Sequence, residues 1–512
     1  MTSATDYRER EVKFGADLQF ELPDLRKIVG STKRLPEQSL RTAYFDTADL
    51  RLWGRGITLR HRAGEEGGTG KWTLKLPEVA EGSAVERTEL SWTGPPDVTP
   101  PEALAILAGV LRHATLQRIV VLASTRKRLV LRNDEGADLG EIDDDVVTVA
   151  KGTLKGLTFR QIELEFGDGQ TPGEPTGYVV DAVVKKIRKA GAHIEHVQKF
   201  AKSVGLDDPP SEGPADRLGR RASVGDVIRS SIAHGYERLL DHDYRLRLQP
   251  GDPPEQAVHQ ARVATRRLRS DLKTFSVFLD PVWLRHTTAE LKWLGDRLGQ
   301  VRDADVLAKR LESAGTEGLR LRLAGQRRDF SAELAEAING DRYRHLLEWL
   351  HAGSHSPPLY VDPRTKPKSG RTWRPDDPAR DVLPALVGRS WQRVRRRVRK
   401  AGDKPSDTQL HKIRIASKQL RYAAEAAEPV IGKDARRTAG RAKDLQTLLG
   451  DHHDAVTAEE WLQGVALDGT GAAGYAAGQL ACTTQEEQRQ LRRQWRSRWQ
   501  TLATPNATSW LR

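Results

Sequence analysis

The chain of 512 residues is long enough for two or three domains, each with a core of its own. A single cysteine, Cys482, excludes a disulfide scaffold, and no run of eighteen apolar residues reads as a membrane-crossing helix. With no charged-then-apolar leader, the sequence reads as that of a cytoplasmic protein in a reducing compartment. The formal charge is +13, yet residues 1 to 204 carry 30 Lys and Arg against 30 Asp and Glu, so the whole excess falls beyond residue 204. A basic C-terminal region calls for an acidic partner such as nucleic acid, an anionic membrane or inorganic polyphosphate.

In chain order, residues 1–204 read as short strands punctuated by Gly and Pro: "REREVKF", "SLRTAYFDT", "GITLRHR", "KWTLKLP", "VERTELSW", "STRKRLVLR", "LGEIDDDVV" and "FRQIELEF". Helical patterns interrupt them near 100–112 and 177–190. Residues 205–221 have the Pro, Gly and charge content of a linker. From 222 to 512 the pattern turns to long helical periodicity, broken chiefly by a Pro- and Gly-rich loop at about 352–378. The predicted fold class is therefore α+β, an antiparallel β domain followed by an all-α domain.

The strands share an unusual pattern. Ile162, Leu164 and Phe166 alternate with Gln161, Glu163 and Glu165; Trp72, Leu74 and Leu76 alternate with Lys71, Thr73 and Lys75; Ile142 and Val146 alternate with Glu141, Asp143 and Asp145. A single such strand describes a sheet with one face in water. Across strands, however, the charges segregate, with acids at Glu9 and Glu11, at 141–145, and at Glu163 and Glu165. Bases gather at Arg60 and Arg62, Lys71 and Lys75, and Arg126 and Arg128. Segregation suits a closed barrel with an apolar exterior and a wet interior, where an acidic wall holds a divalent cation and a basic wall holds phosphate. In "EIDDDVV" the alternation favours Asp143 and Asp145 as inward.

The ordered set Glu9-x-Glu11-x-Lys13, "YFDT" (44–47), "LRHR" (59–62), "TLKLP" (73–77) and "IELEF" (162–166) resembles the CYTH domain, the triphosphate tunnel metalloenzymes, over nearly all of residues 6–204. That resemblance implies an eight-stranded antiparallel tunnel with flanking helices, binding inorganic triphosphate or a nucleoside triphosphate with Mg²⁺ or Mn²⁺. It implies Glu9, Glu11, Asp145, Glu163 and Glu165 as metal ligands, although the family's acidic position in this strand also aligns with Asp144. Lys13, Arg60, Arg62, Lys75, Arg87, Arg126, Arg128 and Lys199 are implied to bind substrate, with Gln198 standing where the family carries a serine before Lys199. Glu9, Glu11, Lys13 and Glu89 are the implied catalytic group. The implied reaction is metal-dependent hydrolysis of a phosphoanhydride; cyclisation of a nucleoside triphosphate by its ribose hydroxyl is the alternative on the same scaffold.

The helical region contains a repeat. "VHQARVATRRLRSDL" (258–272) matches "LHKIRIASKQLRYAA" (410–424) at an offset of 152, and "LGQVRDA" (298–304) matches "LGDHHDA" (449–455) at 151. His259, Arg262, Arg266, Arg269 and Lys273 fall at helical spacing on one face, and His411, Arg414, Lys418 and Arg421 repeat it. Like charges stacked this way repel, so a polyanion laid along them is the favoured reading. The alternative is a solvated face neutralised by neighbouring acids. Asp303 and Asp454 are expected to pair with arginines, and the "DHHD" at 451–454 is not read as a metal site because the first repeat has no histidine there.

The paired "VHxxRVxxRRLR" and "LHxxRIxxKxLRY" segments resemble the CHAD domain over about 222–500. This implies two pseudo-symmetric antiparallel helical bundles that bind long-chain polyphosphate through the basic stripes. Together the two resemblances imply a triphosphatase tethered to a polyphosphate-binding module, placing it in the cytoplasm and at polyphosphate granules. The competing class is a non-catalytic polyphosphate scaffold. Nucleic acid is disfavoured, since Tyr422 alone offers a stacking surface beside the stripes, and no membrane partner is expected.

Overall fold

A computed structural model describes residues 10–64, 68–77, 79–81, 84–86, 88–166, 178–206, 218–312, 317–361, 372–468 and 471–511. The chain divides into two units, Met1–Glu212 and Gly213–Arg512.

The first unit contains β1 (Arg10–Ala16), β2 (Ser31–Arg34), β3 (Gln38–Asp46), β4 (Thr58–Ala63), β5 (Lys71–Lys75), β6 (Val79–Glu81), β7 (Ala84–Glu86), β8 (Glu89–Thr93), α1 (Pro101–Leu111), β9 (Gln117–Arg132), β10 (Asp138–Lys151), β11 (Thr158–Phe166), α2 (Tyr178–Lys189), β12 (His193–Ile194) and α3 (Lys199–Val204). The main sheet runs β12-β1-β11-β10-β9-β3-β4-β5-β8 with β2 also on β9, while β6 and β7 form a separate hairpin. Its pairings are antiparallel, as expected, but it counts ten strands rather than eight because β2 and β12 are short additions at its margins.

Side chains of β1, β4, β5, β9 and β11 line one cavity. Six strand steps separate β1 from β5, a gap of roughly 29 Å in a flat sheet at about 4.8 Å per step. No side chain spans that distance, so the sheet is rolled. Ile142, Ile162, Leu164 and Phe14 point outward and are covered by Val183 and Ile187 of α2. This outer layer is the unit's principal core, which inverts the usual arrangement of a small barrel.

The interior is not wet throughout. The parity that turns Asp143 and Asp145 inward also turns Val147 and Val149 inward, and these join Val120, Leu122, Tyr44, Phe159 and Phe200 of α3 in an apolar cluster. One end of the lumen is thus filled with side chains, and the charged residues occupy the remainder.

The second unit contains α4 (Val224–Leu248), α5 (Glu255–Thr274), α6 (Pro281–Arg310), α7 (Glu317–Asn339), α8 (Asp341–His355), α9 (Ala379–Ala401), α10 (Asp407–Ile431), α11 (Lys433–Asp468), α12 (Ala472–Leu502) and α13 (Pro505–Thr508). Ser223 with Asp226, and Ser406 with Gln409, form capping boxes that start α4 and α10. The two sequence repeats map onto α5–α6 and α10–α11. One continuous core runs through both halves, including Val258, Ala261 and Leu268 of α5 and Ile413, Leu420 and Ala424 of α10. Gln419 ties the halves together by donating to the Ser270 carbonyl at 3.0 Å and to Thr274 Oγ1 at 3.1 Å.

Candidate functional site

In the sheet unit, Lys13, Arg60, Arg62, Lys75, Arg126, Glu163, Glu165 and Lys199 line a single cavity, with Tyr44 and Phe200 beside them. Strand register explains the convergence. Lys13 of β1 stands opposite Glu163 of β11, and Glu163 stands opposite Asp143 of β10, which in turn faces Arg128 of β9. Glu9, Arg87 and the Glu11 side chain lie outside the described residues, though the Glu11 backbone pairs with Glu165. Glu89 is turned toward Lys75, whose ammonium lies 2.7 Å from it.

Carboxylate oxygens of Asp143, Glu163 and Glu165 lie within 4.8 Å of one another. They are hard oxygen donors of the kind Mg²⁺ and Mn²⁺ take. Asp143 Oδ1 is buried and accepts no hydrogen bond among the described residues, with Arg128 Nε 3.8 Å away, so the donor set fits a divalent cation and one of its atoms has an open hydrogen-bonding position. Burial, with Asp145, Glu141 and Glu163 adding to it against Arg126, pushes the Asp143 carboxyl up to about 6.

Asp145 is engaged differently. It takes a bidentate pair from Arg126, with Nε at 2.8 Å and Nη2 at 2.7 Å, and Lys199 Nζ lies 2.5 Å from Oδ2. Lys199 also donates to Glu163 at 3.0 Å. Burial opposes ionisation of Asp145, yet Lys199 and Arg126 hold it below the usual carboxylate range, and Glu163 is lowered likewise by Lys199, Lys13 and Arg126. Asp143 also pairs with Arg126, through Oδ2, but keeps Oδ1 without a hydrogen bond and groups with Glu163 and Glu165, whereas Asp145 is taken up by Arg126 and Lys199 together. Asp144 points to the outer face, in a pair with Arg160 at 2.6 Å. Arg128 turns to Glu141, its Nη2 3.1 Å away.

Tyr44 belongs to the site and was not singled out in the sequence. It sits opposite Arg60 across β3 and β4. Burial disfavours the Arg60 cation, but Tyr44, Glu89 and Glu163 raise its pKa overall. Arg60 Nε is buried without a hydrogen-bond partner among the described residues, an unmet donor beside the acidic wall. The signal was cross-strand register, which becomes readable only once the β3–β4 turn length is known.

In the helical unit the two stripes meet. Arg262 and Arg266 of α5 act electrostatically on Arg414 and Lys418 of α10, so the four cations share one neighbourhood. The repeat extends to their partners: Arg262 Nη1 donates to Asp303 at 2.9 Å, and Arg414 lies 3.8 Å from Asp454. Gly299 and Gly450 sit beneath these two guanidiniums, each with Arg atoms within 4 Å of where a Cβ would stand. Arg266 Nε, Arg414 Nε and His411 Nδ1 are buried without hydrogen-bond partners among the described residues.

His411 packs on His453 with ring centroids 4.3 Å apart. The matching pair in the first half is His259 with Arg302, whose charge, after burial, lowers the His259 pKa. His452 is buried and lies 3.3 Å from Asp407. Burial, Arg393 and Arg269 lower the Lys273 pKa, so the far end of the α5 stripe meets α9. Arg421 is held by Glu425 at 2.7 Å and Gln446 at 3.2 Å, and so departs from the open stripe.

Family models match on both sides of this division, a CYTH domain over residues 8–175 and a CHAD domain over residues 230–463. The chain belongs to the CYTH–CHAD family. It is 30% identical over 483 residues to the uncharacterized protein Rv2226 of Mycobacterium tuberculosis strain H37Rv, covering 87% of this chain and 86% of the relative. Among solved structures, the CHAD domain of the plant Ricinus communis matches at 23% identity and a TM-score of 0.44, covering 57% of this chain and 95% of that one. HpAC1 from Hippeastrum matches at 16% identity and a TM-score of 0.25, covering 38% and 93%. Within the CYTH–CHAD chain the strand-borne charges of the lumen fall inside the first matched segment, Lys199 lies beyond its end, and both stripes fall inside the second. No described helix is long and apolar enough to cross a membrane.

Proposed function

We propose that the CYTH unit hydrolyses a phosphoanhydride bond of inorganic triphosphate or a nucleoside triphosphate with Mg²⁺ or Mn²⁺, and that the CHAD unit binds long-chain polyphosphate. The observation that carries the first reading is the convergence of Asp143, Glu163 and Glu165 with Lys13, Arg60, Arg62 and Lys75 on one cavity. A divalent cation held by those carboxylates would supply charge withdrawal from the phosphate oxygens. Arg60 and Arg62 offer fixed forks to phosphate, and Lys13 and Lys75 offer point charges that follow a chain as charge shifts toward the leaving group. In the overall reaction a water oxygen bonds to phosphorus, the bridging P–O bond breaks, and the proton of water ends on the phosphate products. Asp145 takes no part in bond making; it keeps Arg126 and Lys199 charged and in place.

Support for the second reading is the pair of unmet donors on Arg266 and Arg414, with the unpartnered His411 Nδ1 beside them, along adjoining stripes. Polyphosphate presents anionic oxygens at every unit and suits such a row. A cytoplasmic location follows from the proposed substrates, with granules as the site to which polyphosphate binding would recruit the protein.

Phosphate release from tripolyphosphate, ATP and long-chain polyphosphate, with and without Mg²⁺, tests the enzyme. Activity that needs the metal and is lost in a Glu163→Ala, Glu165→Ala double variant is the expected result. No turnover on any of the three, with polyphosphate binding intact, would establish a non-catalytic scaffold instead.

A further inference from the structure

A cleft of about 560 Å³ lies among α4, α5 and α10 of the helical unit, within the size range of small-molecule sites. Its lining differs from the rest of this basic unit. Four acids, Glu237, Asp241, Asp271 and Glu425, line it against two arginines, Arg238 and Arg267, and two histidines, His234 and His242. Asp271 is 3% exposed. Its Oδ1 accepts no hydrogen bond among the described residues, and its other oxygen is 3.7 Å from Arg267 Nε, too far for a hydrogen bond.

Arg267 gives its closer contact to Glu425, at 3.0 Å, and Arg421 donates to the same carboxylate at 2.7 Å. Glu425 thus has both arginines close by, though its Oε2 lacks a hydrogen bond, while Asp271, which lines the cleft, has neither a hydrogen bond at Oδ1 nor an arginine within hydrogen-bond reach of its other oxygen. Burial pushes the Asp271 carboxyl up to about 8, with Arg267 lowering it and Glu425 raising it. The repeat gives no structural reason for an acid here: at the offset of 152 the counterpart of Asp271 is Ala423, and that of Arg267 is Gln419.

We infer that this cleft is a binding site for a short aliphatic diamine, one ammonium meeting Asp271 and the other meeting Glu237 and Asp241. An ammonium supplies three donors and one positive charge, which is what an unmet buried carboxylate lacks. Glu237 and Asp241 are one helical turn apart on α4 and so present their carboxylates on one face. The cleft wall also includes Ala264, Ala426, Pro429 and Leu218, apolar groups suited to methylenes and unsuited to a hydrated metal ion.

Calorimetric titration of the full chain with 1,4-diaminobutane, with 1-butanol and sodium chloride as controls, tests the site. Saturable binding of the diamine alone is expected. Asp271→Asn should weaken it by about tenfold or more, near 1.4 kcal/mol, and Ser231→Leu, which narrows the cleft and leaves the Asp271 carboxyl chemically unaltered, should weaken it comparably. Both variants should still bind long-chain polyphosphate. If Asp271→Asn fails to fold, Ser231→Leu decides alone. No saturable heat in the wild type, or unchanged affinity in a folded Ser231→Leu protein, overturns the inference.

Discussion

Lys199 Nζ lies 3.0 Å from Glu163 Oε2, and Glu163 also belongs to the carboxylate group suited to a divalent cation. A side-chain ammonium and a metal ion therefore draw on the same carboxylate. Replacing Lys199 with Gln removes the competing charge but leaves Asp145 and Glu163 less compensated. The variant should melt at a lower temperature without metal and gain more in melting temperature on addition of Mn²⁺ than the wild type does. An equal gain in the two proteins would mean that Lys199 and the cation do not compete.

Asp145 is 1% exposed and receives both the Arg126 fork and the Lys199 ammonium. Substitution by Asn keeps the volume and removes the charge, leaving two buried cations with less compensation. Breaking a buried pair in this way costs about 3–5 kcal/mol. Urea denaturation of Asp145→Asn should show a loss of that order, whereas Asp138→Asn, whose own carboxylate is well exposed, should stay within about 0.5 kcal/mol of wild type. Similar losses at both positions would remove the distinction drawn between a lumen pair and a surface pair.

Much of this arrangement was legible in the sequence because a period of two is unforgiving. Once Ile162 and Leu164 are taken as outward, Glu163 and Glu165 must face the other way, and the same parity settles Asp143 and Asp145 against Asp144. Alternation says which face a residue takes, not which neighbour it meets. That Asp143 rather than Asp145 stands with Glu163 and Glu165 depends on where Arg126 and Lys199 lie, and Lys199 arrives from a helix far along the chain. The apolar end of the lumen was missed for a related reason. Val147 and Val149 continue the inward row of β10, but only the closing helix, with Phe200, turns that row into a core. In the helical unit the duplicated segments predicted both stripes and their Asp303 and Asp454 partners, whereas the withdrawal of Arg421 to Glu425 depends on tertiary contacts.

Gly450 lies mid-helix beneath Arg414, and an added Cβ would sit 3.7 Å from the guanidinium Nε, an ordinary contact. Gly450→Ala should therefore be accommodated and should stabilise the helix by up to about 1 kcal/mol. A longer side chain has no such room, so Gly450→Leu should displace Arg414 and weaken polyphosphate binding while Gly450→Ala preserves it. Fluorescence titration with a labelled polyphosphate chain, read beside thermal melts of both variants, separates the effects. Equal polyphosphate affinity in the Leu and Ala variants would show that the position of Arg414 does not matter.

Lys418 makes polyphosphate binding depend on pH. Burial first, then Arg414, Arg266 and Arg262, push its ammonium down to about 6 against the weaker pull of Asp454, so in the free protein near pH 7.5 the amine is largely neutral. Neighbouring His411 and His453 are lowered as well, His453 to about 4 by burial and then by Arg414. A phosphate chain brings negative charge to this cluster and raises the Lys418 pKa, so binding takes up a proton. Affinity should increase as pH falls from 8 to 6, by at most about tenfold per pH unit for one proton. Folding stability of the free unit runs the opposite way. A lysine depressed from its unfolded value near 10.4 costs stability progressively as pH falls from there to about 6. Lys418→Arg, charged at every pH in this range, should keep binding and flatten the slope, as read by titrations at pH 6, 7 and 8 at constant ionic strength. A wild-type affinity that does not change across that range would mean that Lys418 is already charged in the free groove, or takes no part in holding the chain.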